Sequence, residues 1–200
     1  MLFLRGKPKN TKVRLVVGLG NPGFKYTKTR HNMGFLALDL LEKQCQVLGK
    51  STQANGAVAQ LQGPAGRVLL VWPQTFMNLS GQCVAKLFKK NGCTIENVLV
   101  LYDDIDLPTG RVRIRPAGGT GTHNGMKSLA ECLGTTDFPR IRIGVGPCPS
   151  HMDLAQYVLQ KPPPGEWEGL NAALDTAANA ALAWANGQAL DAVMNQYNTK

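Results

Sequence analysis

VRLVVGLGNPG, residues 13–23, decides how the rest of the chain is read. Val13, Leu15, Val16 and Val17 form a short, almost continuous apolar run that stops at Gly18. Such a run is the pattern of a strand covered on both faces, as in a parallel sheet under helices. The glycines that follow spell G-x-G-x-x-G with Gly18, Gly20 and Gly23, and Asp39 stands about where a dinucleotide-binding unit carries its ribose acid. In such a unit the helix opens within the loop, so that its N–H groups meet the pyrophosphate. Here Pro22 and Gly23 interrupt, and helical spacing starts only near residue 32. Nicotinamide or flavin binding is therefore set aside. The glycines instead let the backbone turn sharply beneath a cleft.

Working outward, residues 33–48 carry helical apolar spacing at Met33, Leu36, Leu40, Leu41 and Leu48. NGAVAQLQ (55–62) and GRVLLVW (66–72) read as two strands joined by a Gly-Pro-Ala-Gly turn. A helix is expected from about Leu79 to Lys90, with Asn78 or Ser80 as its N-cap and Gly92 past its end. NVLVLYDD (97–104) is a strand running into acidic residues, RVRIR (111–115) a strand, and GGTGTHNG (118–125) a glycine-rich loop. MKSLAECL (126–133) is a helix and RIRIGVG (140–146) a strand. DLAQYVL (153–159) is a short helix, KPPPG a stiff break, and residues 166–186 an alanine-rich amphipathic helix ending at Gly187. Alternating strands and helices predict an α/β protein: a single three-layer domain whose mixed, mostly parallel twisted sheet is flanked by helices. That domain is placed over residues 13–200, behind a flexible basic N-terminal arm over residues 1–12.

Charge is the strongest bulk signal. The 200 residues carry a formal net charge of +9, which favours a polyanionic partner. In RVRIRP, Arg111, Arg113 and Arg115 alternate with Val112 and Ile114, and in RIRIGVG, Arg140 and Arg142 alternate with Ile141 and Ile143. Period two places guanidiniums on one strand face and apolar side chains on the other, giving two basic faces suited to a phosphate backbone. Only 6% of residues are aromatic, so base stacking is not expected to dominate. No apolar run approaches the roughly 18–20 residues that cross a bilayer, and MLFLRGKPKNTK does not read as a secretory signal. Five widely spaced cysteines without a C-x-x-C pair suggest reduced, mostly buried thiols. The three histidines, 31, 123 and 151, are too far apart in sequence for a metal-binding pair, and no metal site is expected.

Polar clusters recur at strand ends, where α/β sheets bind ligands: Asn21, His31-Asn32, Asn78, Asp103-Asp104 and, in the glycine loop, His123-Asn124. Each has an ordinary alternative. Asn21 can cap a turn, Asn78 a helix; Asp103 and Asp104 can open an acidic turn, and His-Asn-Gly can be turn chemistry. Jointly they point to a site. A histidine with a strand-end carboxylate is the minimal general-base pair, and asparagines can hold a carbonyl and an attacking water. No G-x-S-x-G elbow is present, so direct attack of water on a carbonyl is favoured over a serine nucleophile.

The segments GLGNPGFKYTKTRHNMG, PQTFMNLSGQ, YDDIDLPTGRVRIRPAGGTGTHNGMKSL and FPRIRIGVG, with YVLQKPPPGE and VMNQYN near the end, resemble in order the signature segments of the bacterial-type peptidyl-tRNA hydrolase family. The likeness runs from about Leu15 to Asn198. It implies a monomeric α/β enzyme that hydrolyses the ester joining a peptide to tRNA, recycling tRNA from stalled translation without metal or organic cofactor and without an obligate protein partner or membrane. It implies His31 as the base that activates water and Asp103 as the carboxylate orienting it. Asn21 would align substrate near His31. Asn78 and Asn124 would hold the peptide backbone or the tRNA end, and Tyr26, Met77 and His123 would line the cleft. Arg115 and Arg142 match basic positions that grip the tRNA's 5′ phosphate. A cytoplasmic location follows, or an organelle stroma or matrix. Two departures stand out: Thr122 replaces a glycine before His123, so a side chain is expected to narrow that loop or shift its backbone, and Leu101-Tyr102 precedes Asp103 where His-Asp is commoner. Thr122 and the basic arm motivate the alternative of a non-catalytic, splicing-factor-like RNA-binding protein on the same fold.

Overall fold

The structure, a computed structural model, describes residues 13–198; the expected N-terminal arm lies outside them. The apolar run becomes strand β1 (Arg14–Gly18), hydrogen-bonded in parallel to β4 (Gly66–Pro73) on one side and to β5 (Val98–Pro108) on the other. Residues of β1 alternate between two cores. Val16 packs with Leu70, Leu99 and Ile141 beneath α1 (Met33–Lys43) and α5 (Trp167–Ala185). Leu15 and Val17 pack with Leu69, Val71 and Val100 beneath α2 (Ser80–Lys90) and α3 (Asn124–Leu133). Burial on both faces is why the run lacks polar alternation.

Among the described residues, seven strands form one mixed sheet in the order β2-β3-β4-β1-β5-β7-β6. Its centre, β4-β1-β5-β7, is parallel, with β7 spanning Arg140–Gly146. The antiparallel edges are β2 (Gly49–Gln53) with β3 (Gly56–Gly63), and β6 (Val112–Arg115). Gly63 pairs with Gly66 across the expected turn. Helices α4 (Leu154–Leu159) and α6 (Leu190–Tyr197) complete the single α/β domain. No helix among the described residues is long and apolar enough to cross a membrane.

Three local readings change. Helix α1 ends at Lys43, and Leu48 is exposed. The buried stripe is Met33, Ala37, Leu38 and Leu41, whereas Leu36 and Leu40 are half-buried. Strand β2, GKSTQ, has no buried face and hence no hydrophobic period to betray it. Helix α2 has neither Asn78 nor Ser80 as a side-chain cap: Met77–Leu79 form a 3-10 turn and Leu79 holds the cap position. Ser128 of α3 accepts a hydrogen bond from Gly81 N instead, at 3.0 Å, so the donor is satisfied across a helix pair.

Helix α1 enters the sheet through a backbone contact. A Cβ at Gly34 would lie 2.3 Å from Leu101 O and 2.5 Å from Leu19 N. These neighbours are main chain and cannot rotate away. Gly34→Ala is expected to destabilise the fold by about 1–3 kcal/mol, read as a lower midpoint in urea unfolding. An unchanged midpoint would mean that α1 is not held at this approach.

Candidate active site

The polar clusters meet at the C-terminal ends of the parallel strands. Asn32 fastens the loop after β1 to the 3-10 turn Arg30–Asn32: its Oδ1 accepts Asn21 N at 2.8 Å and its Nδ2 donates to Asn21 O at 3.0 Å. Asn21 in turn accepts Met77 N at 2.8 Å through Oδ1. That bond leaves Nδ2 as the side-chain donor of Asn21, with no hydrogen-bond partner among the described residues. Arg30 anchors the turn on its other side. It is buried, pairs with both carboxylate oxygens of Glu166 at 3.1 and 3.2 Å, and lies 4.2 Å from the Tyr157 ring centroid.

Between these anchors His31 meets Asp103. Its Nδ1 lies 3.2 and 3.1 Å from the two carboxylate oxygens. His123 approaches the same carboxylate, with Nε2 3.1 Å from Oδ1. The tautomers follow. His123 Nδ1 accepts Met126 N at 3.2 Å as the N-cap of α3, so its proton is on Nε2 and donates to Asp103. Asp103 is 2% exposed and ionised, an acceptor for His31 too, which places the His31 proton on Nδ1 and a lone pair on Nε2. Nothing among the described residues occupies that Nε2, and His31 borders a cavity of about 700 Å³.

Electrostatics support this arrangement. Burial disfavours a charged His31, yet the charge and hydrogen bond of Asp103 outweigh it and hold its pKa above the ordinary imidazole value. Burial alone would raise the Asp103 pKa, but the two facing imidazoles hold it well below the usual carboxylate range. Burial and nearby Asp104 push the Tyr102 phenol up to about 12, so it stays neutral; its ring meets His123 edge-on at 5.1 Å.

Met77, Asn78, His123, Asn124, Arg115 and Arg142 all line the His31 cavity. Both ring nitrogens of His123 are engaged, so it contributes a wall and a hydrogen bond to Asp103 rather than a free polar group. Tyr26 is not among the lining residues. It lies half-buried on a neighbouring 3-10 turn, with Lys25 Nζ 4.8 Å from its ring centroid. His151 is exposed. The three residues His31, Asp103 and His123, far apart in sequence, bring metal-capable atoms within 4.8 Å of one another, with His31 Nδ1 and His123 Nε2 both facing the Asp103 carboxylate.

Two basic strand faces do merge: Arg113 lies opposite Arg142 and Arg115 opposite Arg140 in the β6–β7 register. Arg140 departs from the expected phosphate role. It is 1% exposed, and its guanidinium donates to Gly118 O at 2.8 Å, Gly119 O at 2.9 Å and Thr136 O. It therefore pins the glycine loop that carries His123. In that loop the left-handed residues are Gly118 and Gly121, with φ of 157° and 53°. Thr122 is exposed and has no positive φ, so it occupies the glycine's place without backbone strain. Arg30 and Asn32 are supporting residues to which sequence reasoning assigned no individual role, and Arg140 is a third whose role differs from the one expected. Two of them flank His31 directly, and their polarity beside a buried turn is the signal that could have found them.

The family model for peptidyl-tRNA hydrolase matches residues 15–200. A peptidyl-tRNA hydrolase of Gloeobacter violaceus is 46% identical over 191 residues, covering 94% of this chain and 96% of its own. One of Halalkalibacterium halodurans is 43% identical over 187 residues, covering 93% and 100%. The crystal structure of peptidyl-tRNA hydrolase from Acinetobacter baumannii superposes with a TM-score of 0.85 at 32% identity, covering 94% of this chain and 96% of that one. With the signature segments folded into one cleft and this likeness spanning nearly the whole chain, the chain belongs to the peptidyl-tRNA hydrolase family.

Proposed function

We propose that the chain hydrolyses the ester between a peptide, or an N-acylated amino acid, and the terminal ribose of tRNA, with His31 as general base. The observation carrying the reading is the His31–Asp103 pair, with Nδ1 held by the carboxylate and Nε2 bordering the cavity. Nε2 takes a proton from water, and the hydroxide adds to the ester carbonyl carbon. The imidazolium is stabilised by Asp103. Asn21 Nδ2 donates to the oxygen that gains charge. Collapse breaks the bond to the ribose oxygen, which receives the proton from His31 Nε2. The products are a peptide carboxylic acid and tRNA with a free hydroxyl. Asn78 and Asn124, both exposed in the cavity wall, hold the peptide backbone or the tRNA end. The reading is of a monomer that acts in the cytoplasm, or an organelle stroma or matrix, to return tRNA from stalled translation.

Hydrolysis of N-acetyl-aminoacyl-tRNA, followed as release of the acylated amino acid, tests the proposal; tight tRNA binding without ester cleavage would reject it. The RNA-binding alternative is not favoured: the hydrolase family model matches residues 15–200, and Thr122 sits in its loop without a positive φ. Arg115, exposed at the cavity, and Arg142 are read as tRNA phosphate contacts. Arg115→Ala is expected to raise KM with little loss of kcat, and to lower the slope of log KM against log salt by about one contact's worth. An unchanged salt slope would take Arg115 out of the interface.

A further inference from the structure

Asp104 is a carboxylate where an RNA-binding cleft has least use for one. It lines the same cavity as His31, Arg115 and Arg142 and is 9% exposed. It is not part of the His31 pair, because consecutive residues of β5 leave on opposite faces. Both groups it touches are donors. One oxygen accepts Asp106 N at 2.9 Å and the other accepts Arg142 Nε at 2.5 Å. Only an acceptor at both positions fits; an amide would turn its NH₂ against one donor. The bond to Arg142 falls on Nε. The two Nη groups, the edge that makes two-pronged contacts with phosphate, have no hydrogen-bond partner among the described residues.

We propose that Asp104 is a positioning residue for RNA binding: it holds the Arg142 guanidinium by its Nε edge so that the Nη edge is presented to an RNA phosphate in the cleft. The inference rests on the reading of Arg142 as a phosphate contact and adds what aims it. An unheld arginine loses rotamer freedom when it binds; one fixed beforehand has already lost it. Against this gain stands the repulsion between Asp104 and the phosphate. The two effects have opposite signs in a single variant. If Asp104 were only a countercharge, Asp104→Asn would strengthen RNA binding. If it positions Arg142, the same change weakens binding although it removes a negative charge from the cleft.

The test is the Kd for deacylated tRNA across a salt series, with thermal melting of each variant. The variants are Asp104→Asn, Arg142→Ala, Arg142→Lys and the double change Asp104→Asn with Arg142→Ala. Asp104→Asn is expected to weaken binding about tenfold, the scale of one charge-assisted hydrogen bond, and to lower the salt slope by about one. It adds no further loss once Arg142 is alanine. Arg142→Lys, which keeps the charge but has no Nε to hold, should match Arg142→Ala. Binding by Asp104→Asn as tight as wild type or tighter, with Arg142→Ala weakened, overturns the positioning role and leaves the phosphate contact standing. Wild-type affinity in Arg142→Ala removes the phosphate contact itself, and the positioning role with it. Should Asp104→Asn not fold, Arg142→Lys decides: wild-type affinity there rejects a role that depends on the Nε anchor.

Discussion

His31→Ala is expected to lower turnover of N-acetyl-aminoacyl-tRNA by about 10²–10⁴-fold, the range supplied by one positioned general base. The loss should fall on kcat more than on KM. In the proposed mechanism His31 Nε2 acts on water, while the groups read as holding tRNA and peptide, Arg115, Arg142, Asn78 and Asn124, come from other segments. The fold should survive, because the 3-10 turn keeps its Asn32–Asn21 and Arg30–Glu166 anchors and Asp103 keeps His123 as a donor. Steady-state hydrolysis beside a thermal melt separates the two effects. A variant that melts like wild type and cleaves at the wild-type rate removes His31 from the mechanism.

Asp103→Asn is expected to cost a similar 10²–10⁴-fold and to change the pH profile as well. The carboxylate accepts from two donors, His31 Nδ1 and His123 Nε2. An asparagine has a single acceptor oxygen, so its NH₂ faces one of the rings. Where it faces His31, the imidazole turns to the tautomer with its proton on Nε2 and is no longer a base toward the cavity. The pH dependence follows from the direction of the His31 shift. In the proposed mechanism the active form is the neutral imidazole, and Asp103 holds the pKa above its ordinary value of ~6.5, so wild-type activity is expected to rise still with pH above that value. Without the carboxylate charge the acid limb moves to lower pH while the plateau drops. An acid limb that stays in place would show that Asp103 does not set the charge state of His31.

The same pair makes stability and activity favour different pH. His31 has a raised folded pKa, so its contribution to stability is full below the unfolded value and is lost as pH rises through the folded one. Asp103 has a depressed folded pKa, so its contribution is present above the unfolded value and lost as pH falls. The pair therefore stabilises most between about pH 4 and 6.5, the ordinary carboxylate and imidazole values, on the acid side of the range in which His31 is a competent base.

Taken by itself, the order of residues determined the architecture and most of the polar residues that gather in the cleft. The apolar run of β1, buried between two helical layers, and the alternation of strands with helices carry their own periodicity, and periodicity is a local property. The signature segments that include Asn21, His31, Asn78, Asp103 and Asn124 could be recognised for the same reason: each is contiguous. Only the tertiary structure decided what each polar atom does. Nothing within RIRIGVG tells Arg140, spent on the carbonyls of the glycine loop, from Arg142, whose Nη edge has no hydrogen-bond partner among the described residues. Nothing in HNG shows that His123 caps α3 with one nitrogen and serves Asp103 with the other. Tyr26 stands in the same motif as His31 yet does not line the cavity. Strand β2 escaped detection because it lacks a buried face. Hydrogen-bond partners come from segments tens of residues apart, and a donor or acceptor acquires its role only when the partner arrives, which local pattern cannot encode.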